Sequence, residues 1–327
     1  MPSFIAPSRA QLHTNRPLTN ISIAFFQQAE RFIANRVFPI VPVGKSTDTF
    51  YTIPRGEMNR LEVQRRSRGA KPALTNHQVE TDTFSCDIYG LAEAITDEDR
   101  SDTDLPLNLE TQVTQLLTTQ GLINREQSWV TNYFQTGIWS TDITGVASGP
   151  TGSQVLQWND DASTPIEDVE AGKTAILQST SFMPNTLVLG HQVYAVLRNH
   201  PDIVDRINRG QTTGAAVTDL QVLAAVFGVD RVLVSQGVIN TATEGQDASH
   251  SFIAPNRALL CYSAPNPGLR IPTAGYTFAW NVYSANGMRM RTVRDDIASS
   301  DLVIMDDAYD QKLVSADLGY FFNSIVA

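Results

Sequence analysis

Two glycine–lysine–hydroxyl triplets, Gly44-Lys45-Ser46 and Gly172-Lys173-Thr174, come nearest to phosphate-binding chemistry in this chain. A phosphate loop needs another glycine five residues before the triplet's own, because only unrestricted backbone can wrap its N–H groups around a phosphate. Pro39 and Glu167 occupy those positions, and Lys173 falls inside a helical pattern rather than at a strand-to-helix turn. The five histidines, His13, His77, His191, His200 and His250, show neither the H-E-x-x-H pattern nor the clustered spacing of metal ligands. His191 suits a helix start, and His200 the turn before Pro201. Cys86 and Cys261 form no C-x-x-C pair, so free thiols are expected rather than a disulfide framework or a zinc site. No G-x-S-x-G elbow presents a nucleophilic serine. Asp295, Asp296, Asp301, Asp306, Asp307 and Asp310 could in pairs do acid–base or metal work. The run Asp306-Asp307-Ala308-Tyr309-Asp310 nevertheless lacks the glycine and distal glutamate of a calcium loop. A solvated or interface-facing acidic surface is expected there. No catalytic, cofactor-binding or metal-binding residue is expected, and the chain reads as no enzyme.

The chemistry that remains is charge. The segment EMNRLEVQRRSRGAKPALTNHQ carries Arg60, Arg65, Arg66, Arg68 and Lys71 with few large apolar residues. Acid follows at Glu93, Asp97, Glu98, Asp99, Asp102 and Asp104. The basic run could be merely solvated. Nucleic-acid contact is disfavoured, because little aromatic surface is interleaved for base stacking. The favoured reading is contact between subunits, with Arg60, Arg65, Arg66, Arg68 and Lys71 paired to acidic groups of another copy. The run containing Asp97, Glu98 and Asp99, or the C-terminal acids, would be complementary, and arginine matches carboxylates bidentately. The net charge of −10 argues against a protein that reads DNA sequence through its phosphates. It is compatible with loose containment of DNA behind a weakly repulsive wall.

The elements that would hold these charges follow from periodicity. With 327 residues, 42% of them hydrophobic and 18% charged, the chain can bury a sizeable core. It has neither an apolar signal-like start nor an apolar run of about 18 residues able to span a membrane. The first twenty residues read as a polar arm. Ile21 to Phe38 recurs at helical spacing and predicts an amphipathic helix closed by Pro39 and Pro42. Phe25, Phe26 and Phe32 on that helix are expected to anchor the arm to a neighbouring subunit. Alternation in TFYTIP and ETDTFSCDIYGLAEAI predicts two strands around the basic tip, an extended hairpin too poor in core to stand alone. A long helix is expected over 105–135, with Asp104 as N-cap, Pro106 in the first turn and a bend at Gly121. The stretch 137–163 reads as a loop. Thr164-Pro165-Ile166-Glu167 predicts a capping box opening a helix to about Ser179. A buried strand at 185–189, helices at 191–198, 201–208 and 218–227, and a strand at 231–235 follow, with Gly228 closing the last helix. Further strands are expected at 256–263, Met288–Val293, Leu302–Met305 and Lys312–Phe322. Without a steady βαβ rhythm the class is α+β.

This order of parts resembles the HK97-like fold of tailed-bacteriophage major capsid proteins, shared with encapsulins. The stretch TPIEDVEAGKTAILQSTSFMPNTLVLGHQVYAVLRNHPDIVDRI is similar to the segment after the long helix in many such proteins, and TDLQVLAAVFGVDRVLVSQGVIN to the stretch that follows it. The resemblance implies an N-terminal arm over 1–48 and an extended loop over 49–92. It implies a peripheral domain of 93–200 and 284–327 with a long spine helix, and an axial domain of 201–283. It further implies a structural subunit that self-assembles as hexamers and pentamers into an icosahedral procapsid and virion capsid enclosing double-stranded DNA. Assembly in the bacterial host cytoplasm is expected, with a scaffold protein, a portal and in some cases a cement protein as partners, without cofactor or membrane. Only a short arm precedes Ile21, so a separate scaffold is expected rather than a cleaved one. The alternatives are an encapsulin-like compartment shell, a phage tail or baseplate component, and, from another class, an acidic cytosolic enzyme of α+β fold.

Overall fold

Two sheets and one long helix organise the chain. The computed structural model describes residues 27–52, 61–72, 74, 80–102, 109–208, 219–243, 245–268, 271–284 and 286–327. In chain order these form α1 (Ala34–Val37), β1 (Ile40–Val43), β2 (Thr47–Thr52), β3 (Glu80–Ser85), β4 (Asp87–Thr96), α2 (Asp97–Asp102) and α3 (Leu109–Tyr133). Next come β5 (Thr141–Val146), β6 (Gln154–Leu156), α4 (Pro165–Thr180), β7 (Thr186–Gly190), α5 (His191–Leu197), α6 (Pro201–Asn208), α7 (Leu220–Phe227) and β8 (Arg231–Ser235). The chain closes with β9 (Val238–Asn240), β10 (His250–Phe252), β11 (Ala258–Cys261), β12 (Gly275–Trp280), β13 (Met288–Asp295), β14 (Ser300–Leu313) and β15 (Gly319–Asn323).

One sheet has six strands in the order β6-β5-β15-β11-β7-β8. Its central strands β7 and β11 are buried at every residue, as a sheet covered on both faces requires. Local signals build its helices: Pro165 stands at the first position of α4, Asp219 accepts from the Leu220 amide at the start of α7, and Gly228 turns left-handed (φ 62°) at its end. The expected capping box is not made, because the Thr164 side chain forms no cap hydrogen bond. Lys173, mid-helix as expected, donates from Nζ to Phe227 O at the C-terminus of α7, where a cation satisfies an orphan carbonyl.

The second sheet is built on β14, fourteen residues long. β13 and β12 lie end to end along one side of it, antiparallel, and β4 pairs along the other through Ser300↔Thr96 to Tyr309↔Asp87. β1 adds parallel to β12, where Pro42 sits on an edge strand that tolerates a missing donor. Helix α3 crosses this sheet and buries Val113 and Leu117 against Ile95, Val303 and Met305. Gly121 does not interrupt the helix, which runs unbroken from Leu109 to Tyr133. A Cβ there would stand 2.7 Å from Met305 Sδ, so the glycine permits close approach of helix to sheet.

Several expectations are corrected. Residues 21–26 of the predicted arm helix, with Asp104 and Pro106 of the predicted cap, lie outside the described residues. Residues 27–38 are a 3-10 turn, an extended stretch at Phe32 and the four-residue α1 rather than one helix. β4 belongs to the large sheet, so the hairpin's second strand is only β3. The three strand-like C-terminal runs are β13, one long β14 and β15. The boundary at 200/201 cuts through one sheet and one core: β7 pairs with β8 and β11, and β11 with β15. Leu187, Leu197, Leu233, Leu260 and Phe321 share a single buried cluster.

Candidate subunit-contact surfaces

The hairpin is anchored before it projects. β2 and β3 pair from Thr47↔Ser85 to Thr52↔Glu80. Phe84 stacks on Phe278 at 4.3 Å, Phe50 lies 5.4 Å from the same ring, and Cys86 and Tyr276 complete the cluster. Each buried aromatic contributes about 1.5–3 kcal/mol. The Ser85 amide also donates to Asp310 Oδ2 at 2.9 Å. The hairpin, expected to be too poor in core to stand alone, is held at its base by β12 and β14 of the same chain.

The tip is different. The Ala70 amide donates to Ser67 O, and Gly69 takes φ 81°, the left-handed position a tight turn needs. Arg66 Nη1 donates to Ala70 O at 2.7 Å and closes the turn from outside. Arg65, Arg66, Arg68 and Lys71 all face solvent. Three apolar side chains share the region in full exposure: Leu61 at 91%, Val63 at 89% and Leu74 at 97%. Leu61 and Val63 stand two residues apart in the sequence on the way to the turn. Sequence reading named the charges and missed these apolar residues, although L-E-V-Q-R-R alternates visibly. Arg60 lies outside the described residues.

The acidic run is already engaged within the chain. Arg294 grips Asp97 bidentately, Nη1 to Oδ1 at 2.8 Å and Nη2 to Oδ2 at 2.5 Å. Arg100 reaches Asp301 and Glu110, each at 2.8 Å. Asp99 accepts from Thr96 Oγ1 at 2.7 Å, while its amide donates back to that oxygen and starts α2. The hydrogen bond from Arg294 holds Asp97 below the ordinary carboxylate range, and that from Arg100 does the same for Asp301. Asp97 and Asp99 thus have partners within the chain, and Asp97 and Glu98 are both exposed. The expected acidic surface at the C-terminus is corrected for Asp306 and Asp307. Asp306 accepts from Arg289 and Arg291 at 2.8 Å each, and Asp307 is buried against Arg125. Arg289 and Arg291 at alternate positions of β13, the first in register with Asp306 on β14, were the signal that could have revealed this.

Of the arm phenylalanines, Phe25 and Phe26 lie outside the described residues. Phe32 is buried in its own chain, in the core cluster that also holds Ile253. Gln27 clasps the Val238 backbone in both directions, donating to its carbonyl at 2.7 Å and accepting from its amide at 3.0 Å. Phe38 meets Trp129 edge-on at 6.0 Å. Residues 27–38 of the expected arm therefore pack into the body of the chain.

Groups tested for chemistry have structural partners. His200 Nδ1 accepts from the Asp202 amide, so Nε2 carries the proton beside Ser163 Oγ and Asp160 O. Burial pushes the Cys86 thiol up to about 11 and the Cys261 thiol to about 12, and both stay protonated. No group of three or more potential metal ligands occurs among the described residues.

A family model described as phage major capsid protein E matches residues 156–275, from β6 to the start of β12. The major capsid protein of Pseudomonas phage JBD67 is 24% identical over 321 residues, covering 98% of this chain and 99% of that protein. A phage-related protein from Bordetella bronchiseptica RB50 shares the fold with a TM-score of 0.67 at 20% identity, over 94% of this chain and 97% of that one. The capsid protein of cyanophage P-SCSP1u does so at 0.59 and 13% identity, over 98% and 99%. The matched family and the full-length relative are phage proteins, which favours a phage shell over the compartment shell of the same fold and over the enzyme alternative. Family segment, full-length relative and shared fold are all similar to phage major capsid proteins, and the fold is the HK97-like one of phage capsids.

Proposed function

We propose that copies of this chain close into an icosahedral shell as hexamers and pentamers around packaged double-stranded DNA, with the hairpin tip as one of the contacts between copies. The observation that carries this reading is the exposed tip. Four cations and three fully exposed large apolar side chains project from a base that is itself packed, an arrangement that costs solubility unless another surface covers it. The −10 charge of the whole chain makes another copy an attractive partner for a basic tip. Arg60, Arg65, Arg66, Arg68 and Lys71 supply charge, and Leu61, Val63 and Leu74 the buried area. Glu98 remains an acidic candidate. The unit built on the six-stranded sheet is assigned the axial role and the unit of α3 and the β14 sheet the peripheral role, in place of the boundaries expected from sequence. A scaffold protein, a portal and a cement protein belong to the same reading, as do assembly in the host cytoplasm and residence in the virion.

The test is electron microscopy and sedimentation of the chain coexpressed with its neighbouring phage genes, against the triple variant Arg65→Glu, Arg66→Glu, Arg68→Glu. Closed particles from the wild type and folded, unassembled subunits from the variant are expected. Normal shells from the variant would remove the tip from the contact.

A further inference from the structure

Glu126 is a fully buried carboxylate on α3 at the place where three parts of the chain meet. Its Oε2 accepts from the backbone amides of Ile33 at 2.9 Å and Ala34 at 2.7 Å, the N-terminal end of α1. Its Oε1 contacts Ser235 Oγ at 2.7 Å, at the end of β8. One side chain thus ties the arm to the long helix and to the six-stranded sheet.

Among the described residues, the charged groups of the surrounding elements are turned elsewhere. Arg125, the preceding residue on α3, is engaged by Asp307. Arg231 of β8 donates to Thr186 Oγ1, Arg36 O and Ser263 Oγ. Arg31 and Arg36 of the arm are exposed. A carboxylate taken wholly out of water without a cation is costly, and such a group ordinarily neutralises itself by keeping its proton. The geometry admits that state without rearrangement. Two amides point at Oε2, which is then the carbonyl oxygen. The one partner of Oε1 is a hydroxyl, which can accept a proton as readily as donate one.

We infer that Glu126 is a proton-holding latch for the arm: a neutral acid whose Oε1–H donates to Ser235 Oγ while Oε2 accepts the Ile33 and Ala34 amides. Losing that proton to solvent leaves an anion that must draw water into the junction, and residues 27–38 loosen. Burial raises the carboxyl's pKa and outweighs the three hydrogen bonds that lower it, in keeping with the geometry. The inference does not depend on the shell reading, because every observable belongs to the single chain.

The test is infrared difference spectroscopy of the full-length chain against Glu126→Gln, with amide hydrogen exchange of 27–38 followed as pH rises. At neutral pH a protonated-carboxyl C=O band is expected in the wild type and absent from the variant. On raising pH the band should vanish while exchange at Ile33 and Ala34 accelerates by on the order of tenfold beyond its intrinsic pH dependence, in the wild type only. A second variant, Ser235→Ala, removes the proton's acceptor and should shift the band. No band at neutral pH, equal acceleration in Glu126→Gln, or a band unmoved by Ser235→Ala each overturns the proposal.

Discussion

Replacing Arg125 by Met tests whether α3 and β14 are clamped by charge or merely packed. Arg125 and Asp307 are 3% and 1% exposed. The guanidinium donates from Nε to Asp307 Oδ2 at 2.8 Å and from Nη2 to Oδ1 at 2.5 Å. Nη2 also reaches Asn286 O at 2.6 Å, and the plane lies 4.8 Å from the Tyr309 ring centre. Methionine replaces most of the aliphatic stem but strands the Asp307 charge, and removing one partner of a buried pair costs about 3–5 kcal/mol. Losing the donor to Asn286 O adds about 1 kcal/mol. A loss of about 4–6 kcal/mol is therefore expected for Arg125→Met. The double variant Arg125→Met, Asp307→Leu strands no charge and should lose less than about 2 kcal/mol, because apolar replacement of a whole buried pair is often close to neutral. The double-mutant cycle should thus show a large coupling. Urea unfolding followed by tryptophan fluorescence reads it, with Trp129 one turn along α3 as a buried local reporter. A single-variant loss below about 1 kcal/mol, or a double variant as damaged as the single, would refute the clamp and leave packing alone to hold the helix.

Three other outcomes follow from particular contacts. Phe278→Ala removes the ring on which Phe84 and Phe50 pack; about 3–5 kcal/mol should be lost, and proteolysis of the hairpin should quicken. Unchanged proteolysis would mean that backbone pairing alone fixes the base. Gly190→Ala would set a Cβ 1.8 Å from the Pro255 carbonyl oxygen and should abolish folding in expression trials, whereas Gly121→Ala meets only flexible methionine ends and should cost about 1–3 kcal/mol. Similar losses for the two would contradict the distinction. Hydrogen bonds from Arg289 and Arg291 hold the Asp306 carboxyl below its ordinary value. Its contribution is therefore present above the usual carboxylate range and fades as pH falls through the lowered folded value. Melting temperature against pH should fall less steeply on the acid side for Asp306→Asn than for the wild type, and parallel curves would exclude this pair.

Much of the fold was legible where its cause is local. Pro165 opens α4, Gly228 closes α7, and the all-apolar runs of β7 and β8 identify buried strands without knowledge of their partners. What escaped depends on distant residues. Asp306, Asp307 and Asp310 interrupt the apolar pattern of β14, so that one strand reads as pieces; Arg289, Arg291 and Arg125 make Asp306 and Asp307 tolerable inside a sheet. The spacing of the arm suits a helix, yet Phe32 is extended and the Ile33 and Ala34 amides go to Glu126, some ninety residues away. The exposure of the charges at Arg65, Arg66, Arg68 and Lys71 was legible because few apolar residues surround them. The pairing of Asp97 with Arg294 was not, because β13 brings that arginine from nearly two hundred residues away.

That contrast separates folding from contact. At the arm, the hairpin base and the acidic run, the groups that looked unsatisfied in sequence have partners in the same chain. Substitutions at Phe32, Phe278 or Asp307 therefore act on the subunit itself, and any effect on assembly comes through loss of folded protein. At the tip, Arg65, Arg68, Leu61, Val63 and Leu74 are exposed, so changing them removes little from the folded chain. As the proposed contact surface on an independently packed base, the tip lets many weak, identical contacts add up across a closed lattice without being needed to fold the subunit. The arrangement of burial, rather than any one interaction, makes such a division between folding and assembly physically possible.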